Sequence, residues 1–506
     1  MNNKERSGAD MKRSAILVVA LAVAAGGLPA DECVIHGITL DEKENKVHIE
    51  WNTVTNRFVI EKGRHLGELK DHGGDCVGTS TNAHENSKDV DASPDDGAVF
   101  YRVILGRQAI DIPDTNFLHA VMDTLGTNKL APTNRVYDTE AAKVTQMNAY
   151  MPGYPTNMSI YGVTNATGVE WFTGLTNLWI DGRGTNYGRQ IGSLDVSACT
   201  NLQRLSFYGH LATNLVLPAV GRLAYLDCGF NDLVSVGPVP PTMKTFSCRY
   251  NPRFATPDLS ACSNMEGVTM NDTQVSELNL PRCPLLWQLF LSNTRLSGID
   301  LTRFPSLAQL TLWNTQVSSL DFSACTQYLW TVNVAQTPIA SLDIANKPRL
   351  YNLFCGGGGP ACFGRYPLSS LNVTNCPKLA AIWCGWSDLT ALDLTGLTNL
   401  VQLGVTDNRL SSLVLPPVTR WSTMQVHCQG NQLTNLDLRA ATGLSILNCQ
   451  TNLLTEIDIS SNTNCKTVRA VCNPLATIKV WWASATNAPA GLVLTYDGNP
   501  AIVYKP

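Results

Sequence analysis

The chain has 506 residues and a mass of 54.9 kDa, more than a single hydrophobic core normally organises, so its length predicts several domains or a repeat array. Charged residues make up only 15% of the chain and the formal net charge is -4, which excludes a charge-rich disordered protein and leaves no basic excess for nucleic acid. The 16 cysteines are too few for a small disulfide scaffold.

The first 30 residues have the pattern of an export signal. A basic segment, Met11-Lys12-Arg13, precedes an apolar run over 14–25 and a small-residue segment that ends at Ala30. The apolar run is shorter than the roughly 20 residues that a membrane-spanning helix needs. We therefore predict a signal peptide over 1–30, no membrane insertion, and a secreted or extracellular protein that is either released or kept at the cell surface.

Residues 31–110 are predicted to form a small separate domain. The segments 46–51, 57–61 and 99–104 alternate like half-buried strands, and 71–97 is typical of a loop. The pattern resembles a fibronectin type III module and predicts a small β-sandwich. Cys33 and Cys76 are the two cysteines of this region, so we expect a disulfide between them.

Residues 111–174 are predicted to form a helical cap. One amphipathic helix follows Ile112-Pro113-Asp114 and a second covers 138–144. The stretch between them, 126–135, has no Asp or Glu, so we expect no calcium site there.

A repeat begins at residue 175 and continues to residue 506. One example is Leu400-x-x-Leu403-x-Val405-x-x-Asn408-x-Leu410, which follows the leucine-rich repeat consensus. Seven of the fourteen intervals between repeat starts are 21 residues, and the starts lie at 175, 202, 223, 243, 265, 286, 307, 329, 350, 379, 400, 423, 444, 465 and 491. This pattern predicts an α/β leucine-rich repeat solenoid of about 15 repeats, with a curved parallel sheet and a thin convex side of extended or 3₁₀ segments.

Two polar positions recur in the repeats. The turn after each strand carries an Asn that we expect to bond the backbone of the next coil, or a Thr where we expect this ladder to bend or tighten. The Asn residues are 231, 251, 408, 431, 452 and 473, and the Thr residues are 273, 294, 315 and 337. Acidic residues recur at 195, 300, 321, 343, 393, 437 and 458, where they are predicted to form structural turns.

The region 111–506 resembles the secreted internalin-like leucine-rich repeat proteins of bacteria. The resemblance rests on Ile-Pro-Asp-x-Asn-Phe at 112–117, Gly-Val-Glu-x-Phe-Thr at 168–173 and Leu-Asp-Val-Ser-Ala-Cys-Thr-Asn-Leu at 194–202. It implies a helical segment that caps the solenoid and a solenoid that binds other macromolecules at the cell surface.

The cysteines of the repeats are predicted to be small buried hydrophobic residues. Six of them share one inward strand position: 228, 248, 355, 384, 428 and 449. Cys355 and Cys362 flank a Gly-rich segment and could close a disulfide in an oxidising compartment. We expect no metal site, because neither Cys-x-x-Cys nor a His pair occurs.

Catalysis has little support in the sequence. His72 and Cys76 lie within five residues of one another, but a glycine loop with a disulfide cysteine explains them better. The sequence contains no nucleophile elbow, zinc-protease motif or phosphate-binding loop. We therefore predict no enzyme activity and no cofactor.

The outward positions of the predicted strands point to a binding face. Aromatic side chains recur there among uncharged amides, and the candidate ligand-binding residues of the concave face are Tyr208, Tyr225, Phe290, Trp313, Phe354, Trp383, Trp386, Gln309, Asn333 and Gln425. An alternative is that some aromatics fold over gaps between thin repeats.

Three functions are open from the sequence. The first is a bacterial recognition protein, monomeric, that holds a protein partner on its concave face. The second is glycan binding by the same aromatic row, and the third and most distant is a polysaccharide-active enzyme.

Overall fold

The structure is a computed structural model. It describes the backbone of six strands between residues 35 and 105, then 109–115, 117, 118, 121, 136, 137, 141–148, 163, 165–181 and 191–505, the last with gaps at 256, 358–364 and 419–422. The predicted signal peptide, Cys33 and Cys362 lie outside the described residues, as does the side chain of Cys76. The chain divides into two compact units, 1–147 with 166–175, and 148–165 with 176–506.

The amino-terminal strands form two three-stranded antiparallel sheets. In sheet order the strands are Ile35–Asp41, Lys46–Trp51 and Ser87–Asp91, and Asp75–Ser80, Phe58–Gly63 and Phe100–Leu105. The loop predicted over 71–97 is therefore wrong, because it contains two strands. Their sequences lack an alternating apolar pattern, and it is pairing with neighbouring strands that defines them. Packing of the two sheets into a sandwich stays a prediction.

The region predicted as a cap combines short strands with helical turns. Ala109–Ile110 pairs antiparallel with Val136–Tyr137. Asp114 begins the first helix, since its Oδ1 accepts from the Phe117 amide at 2.9 Å and its carbonyl accepts from the Leu118 amide at 2.8 Å.

The second predicted helix, 138–144, is too long. Ala141 is helical, but Ala142 and Lys143 already form a turn and a strand follows at Gln146–Asn148. The entry motif forms the 3₁₀ turn Val169–Trp171, and Phe172 packs against Phe117 with ring centroids 6.4 Å apart.

The repeats form one long parallel sheet, in which each coil of the solenoid adds one strand. Among the described residues its fifteen repeat strands are Asn177–Asp181, Arg204–Tyr208, Tyr225–Asp227, Thr245–Ser247, Gly267–Thr269, Gln288–Phe290, Gln309–Thr311, Thr331–Asn333, Asn352–Phe354, Ala381–Trp383, Gln402–Gly404, Met424–His427, Leu444–Asn448, Thr467–Arg469 and Val493–Thr495. Each of these strands begins within two residues of a predicted repeat start. The typical strand buries its middle residue and leaves both neighbours partly exposed, as in Gln288–Phe290.

The opposite side of the solenoid is thin, as predicted. Within 191–505, the described residues include no α-helix. Short strands pair there in place of helices: Ser193–Asp195 with Asn214–Val216, Ser341–Asp343 with Ser370–Asn372, Ala391–Asp393 with Ser412–Val414, and Glu456–Asp458, Thr477–Val480 and Ala501–Tyr504 with one another. The 3₁₀ turns Leu301–Arg303 and Ala485–Asn487 complete this side.

The recurrent acidic residues are structural, as predicted. Each accepts a hydrogen bond from the backbone amide two residues later at 2.8–3.2 Å, and they are Asp195, Asp300, Asp321, Asp343, Asp393, Asp437 and Asp458. Hydrogen bonds from the Arg439 side chain and amide lower the pKa of Asp437 to about 2.

The Asn ladder is present, but it runs to the preceding coil and not to the next one. Asn452 donates to Cys428 O of the preceding coil at 2.9 Å, and its Oδ1 accepts from Leu433 N at 3.0 Å. It also donates to Cys449 O in its own coil at 3.1 Å. The same bonds recur at Asn231, Asn251, Asn408, Asn431 and Asn473.

The Thr residues interrupt this ladder and do not tighten it. Thr273, Thr294, Thr315 and Thr337 donate to the carbonyl three residues earlier in their own coil at 2.6–2.8 Å. A hydroxyl is too short to reach the neighbouring coil, so these coils have no inter-coil bond from this position. In the second repeat His210 takes the Asn position, and its Nε2 lies 3.4 Å from Ile180 O of the preceding coil.

The inward cysteines are buried, as predicted, and burial raises the thiol pKa of Cys449 to about 12. Cys355 is a free thiol; a hydrogen bond with Cys384, together with burial, raises its pKa. Because Cys362 lies outside the described residues, the Cys355–Cys362 bridge stays a prediction.

Candidate functional site

The long sheet exposes one face, formed by the first and third residues of its strands. The predicted binding residues lie on this face or in the turn that follows it, but they differ widely in exposure. Only Trp313 and Trp383 are exposed, at 36% and 37%. Tyr225, Phe290, Phe354, Trp386, Gln309, Asn333 and Gln425 are half-buried. Tyr208 is only 8% exposed, so its assignment as a surface residue is wrong.

Trp383 lies flat over the neighbouring coil. A Cβ atom at Gly404 would lie 2.3 Å from Trp383 Cε3, so the indole fills the space that a side chain there would need. Its ring stacks with His427 two coils away, with centroids 6.2 Å apart. Burial, followed by the charge of Arg469, lowers the pKa of His427, which keeps this ring neutral at pH 7. Trp383 therefore fits the alternative interpretation, in which some aromatic side chains fold over gaps between thin repeats.

A more exposed aromatic row lies one residue before the strands. Trp287 and Trp330 are 45% and 48% exposed, and Tyr351 is equally open. Backbone bonds place the row in successive coils: Ala308 N donates to Trp287 O, Trp330 N to Ala308 O, and Tyr351 N to Trp330 O, at 2.8–2.9 Å. The small residue Ala308 occupies this position in the coil between the two tryptophans.

Two more exposed side chains widen this row into a patch. Leu285 and Tyr328 lie two residues before Trp287 and Trp330, and Arg349 stacks over the Tyr328 ring at 5.5 Å. We call Leu285, Trp287, Tyr328, Trp330 and Tyr351 the strand-entry patch. The sequence contains a signal for this patch, because aromatic residues cluster just before the predicted strands. These residues lie outside the alternating positions that defined the predicted row.

The strands beside the patch are uncharged. Ten successive strands, from Thr245–Ser247 to Leu444–Asn448, contain no Lys, Arg, Asp or Glu. Amide and hydroxyl side chains bond one another across the coils, as Gln288 Nε2 does with Gln309 Oε1 and Asn352 Nδ2 with Thr331 Oγ1, both at 3.4 Å. This surface offers hydrogen bonds and ring faces but no net charge.

Over the part of the chain that the structure describes, no group of three or more His, Cys, Asp or Glu side chains could hold a metal ion. The helices described there are also too short or too polar to cross a membrane. His72 and the side chain of Cys76 lie outside the described residues.

The repeat length, the parallel sheet and the ladder position together define a leucine-rich repeat solenoid. Among solved structures the chain is similar in fold to InlJ of Listeria monocytogenes, whose functional domain includes a cysteine ladder (20% identity, 74% of this chain and 82% of that chain, TM-score 0.44). It is similar to the internalin InlF of the same organism (15%, 78% and 91%, TM-score 0.39) and to the leucine-rich effector YopM of Yersinia pestis (17%, 65% and 89%, TM-score 0.44). No protein-family model and no curated protein matches the chain.

Proposed function

We propose that this chain is an exported, non-enzymatic recognition protein that binds a protein partner through the strand-entry patch and the adjoining face of the long sheet. The observation that carries the proposal is the exposure of Trp287, Trp330 and Tyr351 at one position in three of four successive coils, whose backbones bond one another at that position. Tryptophan, tyrosine and arginine dominate the binding energy of protein interfaces, and exposed clusters of such residues are rare on surfaces without a partner.

The position of the patch favours recognition over folding as its role. The middle residues of the adjacent strands, such as Leu289 and Val332, are fully buried and supply the core. Removing an indole from the surface therefore leaves that core intact. We propose that the small side chain of Ala308, in the coil between the two tryptophans, leaves room for one protruding side chain of the partner.

The test is a binding screen of the purified protein against surface proteins and a glycan array. The Trp287→Ala/Trp330→Ala variant is compared with wild type and with Val414→Ala, which removes an exposed apolar residue from the opposite side of the solenoid. We expect protein hits that weaken at least about tenfold in the double variant only. Hits that survive the double substitution would contradict the proposal.

Glycan binding is the second candidate, and the uncharged strands favour it. Flat aromatic rings beside amide side chains suit sugar rings, and a neutral face predicts binding that does not change with salt. Hits on neutral oligosaccharides, competed by the free sugar and lost in the double variant, would replace the protein partner by a glycan.

A further inference from the structure

The two tryptophans of the strand-entry patch offer hydrogen-bond donors that the chain itself does not use. Trp287 and Trp330 are exposed, and neither indole N–H has an acceptor among the described residues. Beside them, Gln309 Oε1 accepts from Gln288 Nε2 at 3.4 Å, while Gln309 Nε2 donates to no described group. An indole nitrogen is a donor only. A partner that supplies hydrogen-bond acceptors therefore fits this surface.

The spacing of the two tryptophans matches the pitch of a polyproline II helix. The strands that follow them, Gln288–Phe290 and Thr331–Asn333, are separated by one strand of the same parallel sheet, Gln309–Thr311. Neighbouring strands lie about 4.8 Å apart, so two strand spacings place the tryptophan backbones about 9.6 Å apart. A polyproline II helix rises about 3.1 Å per residue with three residues per turn, which gives about 9.3 Å per turn. One turn of such a segment, laid across the strands, spans the two tryptophans.

Between the two tryptophans, the same position holds only a methyl group. Ala308 takes this position in the intervening coil, where its N–H donates to Trp287 O and its carbonyl accepts from Trp330 N. A ring that contacts a neighbour on each side at about 3.5–4.0 Å needs about 7–8 Å in all. Two strand spacings supply that distance. We therefore expect room for one ring above Ala308, in the interval between Trp287 and Trp330.

This interval is uncharged. The surface positions one and three residues before its three strands hold Leu285, Trp287, Ser306, Ala308, Tyr328 and Trp330. In the two preceding coils the row continues with Lys244 and Glu266, which neutralise each other at 3.0 Å. Arg349 lies one coil beyond the interval, over the Tyr328 ring. An uncharged occupant matches this surface, because a charge buried there would have no partner.

From this we infer that the strand-entry patch holds a proline-rich segment of the protein partner in the polyproline II conformation. Carbonyls of the segment accept from the indoles of Trp287 and Trp330, and one pyrrolidine ring lies between them above Ala308. Proline suits a surface of donors because it has a carbonyl and no N–H, and a polyproline II segment has no internal hydrogen bonds to break. Aromatic-lined grooves recognise such segments in other folds. The inference rests on the proposed function, whose ligand it names.

The test titrates the full-length protein with the capped peptide Ac-(Leu-Pro-Pro)₃-NH₂ by calorimetry. Ac-(Leu-Gly-Ser)₃-NH₂, which keeps the leucines without the polyproline II preference, and the neutral sugar cellohexaose are the controls. We expect the proline peptide to bind with a Kd below about 1 mM and at least about tenfold more tightly than either control. We expect less than about twofold change in its affinity between about 50 mM and about 500 mM NaCl, because no ion pair forms. Equal binding of the two peptides, tighter binding of the sugar, or no binding of the proline peptide would overturn the inference.

Ala308→Tyr tests the interval between the tryptophans. The coils on both sides carry Trp at this position, so we expect an unchanged melting temperature. The variant adds an aromatic ring to the patch and removes none, yet we expect at least about tenfold weaker peptide binding, because the added ring fills the interval. Ala308→Ser keeps a small residue and is the matched control, with an affinity within about twofold of wild type. Retained or raised affinity in Ala308→Tyr would indicate a continuous aromatic platform and overturn the inference.

Two further results separate this inference from the function on which it rests. Trp287→Ala/Trp330→Ala removes both sides of the interval, and we expect it to bind neither the peptide nor a partner found in the screen. Loss of partner binding in this double variant, with no peptide binding by wild type, overturns the proline-rich ligand and leaves the protein-binding function in place. Retention of partner binding by the double variant contradicts the proposed function itself.

Discussion

Two stretches of the solenoid have the same backbone arrangement, with one strand of the long sheet in each coil, but they differ in the side-chain bonds that join their coils. At Asn408, Asn431, Asn452 and Asn473 a buried amide bonds two coils together, whereas at Thr273, Thr294, Thr315 and Thr337 a hydroxyl bonds only its own coil. The strand-entry patch spans four successive coils, and the first three of them carry Thr294, Thr315 and Thr337. The Asn coils therefore hold one another through side-chain bonds, whereas the Thr coils rely on sheet bonds and core packing and present the aromatic surface.

The largest effect is expected from a substitution that breaks the ladder in the Asn stretch. Asn452→Ala leaves the buried Leu433 N without its acceptor and removes one of the two amide donors to Cys428 O, the other being Asn431 Nδ2. We expect a loss of about 3 kcal/mol in the free energy of unfolding. The matched Thr315→Ala loses a single bond to Leu312 O and costs about 1 kcal/mol. Denaturant unfolding of the two variants measures the difference, and equal losses would remove the distinction between the stretches.

The next largest effect is expected from alanine substitutions at two glycines, Gly356 and Gly404, that lie close to a neighbouring coil. An alanine Cβ at Gly356 would lie 2.2 Å from Gly385 O, which is backbone of the next coil and cannot move alone, so we expect Gly356→Ala to cost about 2–3 kcal/mol. Gly404→Ala meets only the Trp383 ring, which can swing away, and costs under about 1 kcal/mol. Thermal melts compare stability, and indole fluorescence reports displacement of Trp383. A larger loss in Gly404→Ala would mean that the ring is fixed in place.

We expect a smaller effect, the loss of stability in acid, to be similar in the Thr stretch and in the Asn stretch. Hydrogen bonds from Thr302 lower the pKa of Asp300, those from Ser323 lower that of Asp321, and those from Thr395 lower that of Asp393; that of Asp437 is about 2. Because a folded pKa below the unfolded value of about 4 stabilises the fold only above that pH, stability is lost as pH falls from about 4 towards 2.

Asn substitutions in these turns keep the acceptor and remove the charge. Asp300→Asn/Asp321→Asn and Asp393→Asn/Asp437→Asn should each flatten the acid-induced fall in melting temperature to a similar degree. A strong difference between the two pairs would show that the outer turns also distinguish the stretches.

Much of the fold was predictable because the repeat constrains it locally. The inward position of Leu289 or Cys449 depends only on its place in the 21-residue period, and so does the turn role of Asp437. The strands at Asp75–Ser80 and Ser87–Asp91 were missed because their own residues have no alternating pattern.

The site was predictable only in outline. Whether an outward aromatic is open depends on its neighbours in other coils: Gly404 gives Trp383 a surface to lie on, and Phe230 and Arg249 enclose Tyr208. These contacts join residues that lie about 20 to 40 positions apart in the sequence, so alternation within one strand does not contain them. The left-handed residue in the turns after the strands was missed because its type varies, as at Phe230, Thr451 and Cys472.

We propose that recognition uses the strand-entry patch and not the row first predicted from alternation. The most direct measurement compares the affinity of one partner found in the screen for wild type, Trp287→Ala/Trp330→Ala and Trp313→Ala/Trp383→Ala, all with unchanged melting curves. We expect affinity to fall at least about tenfold in the first variant and less than about threefold in the second. Loss confined to the second variant would contradict it and return the site to the predicted row.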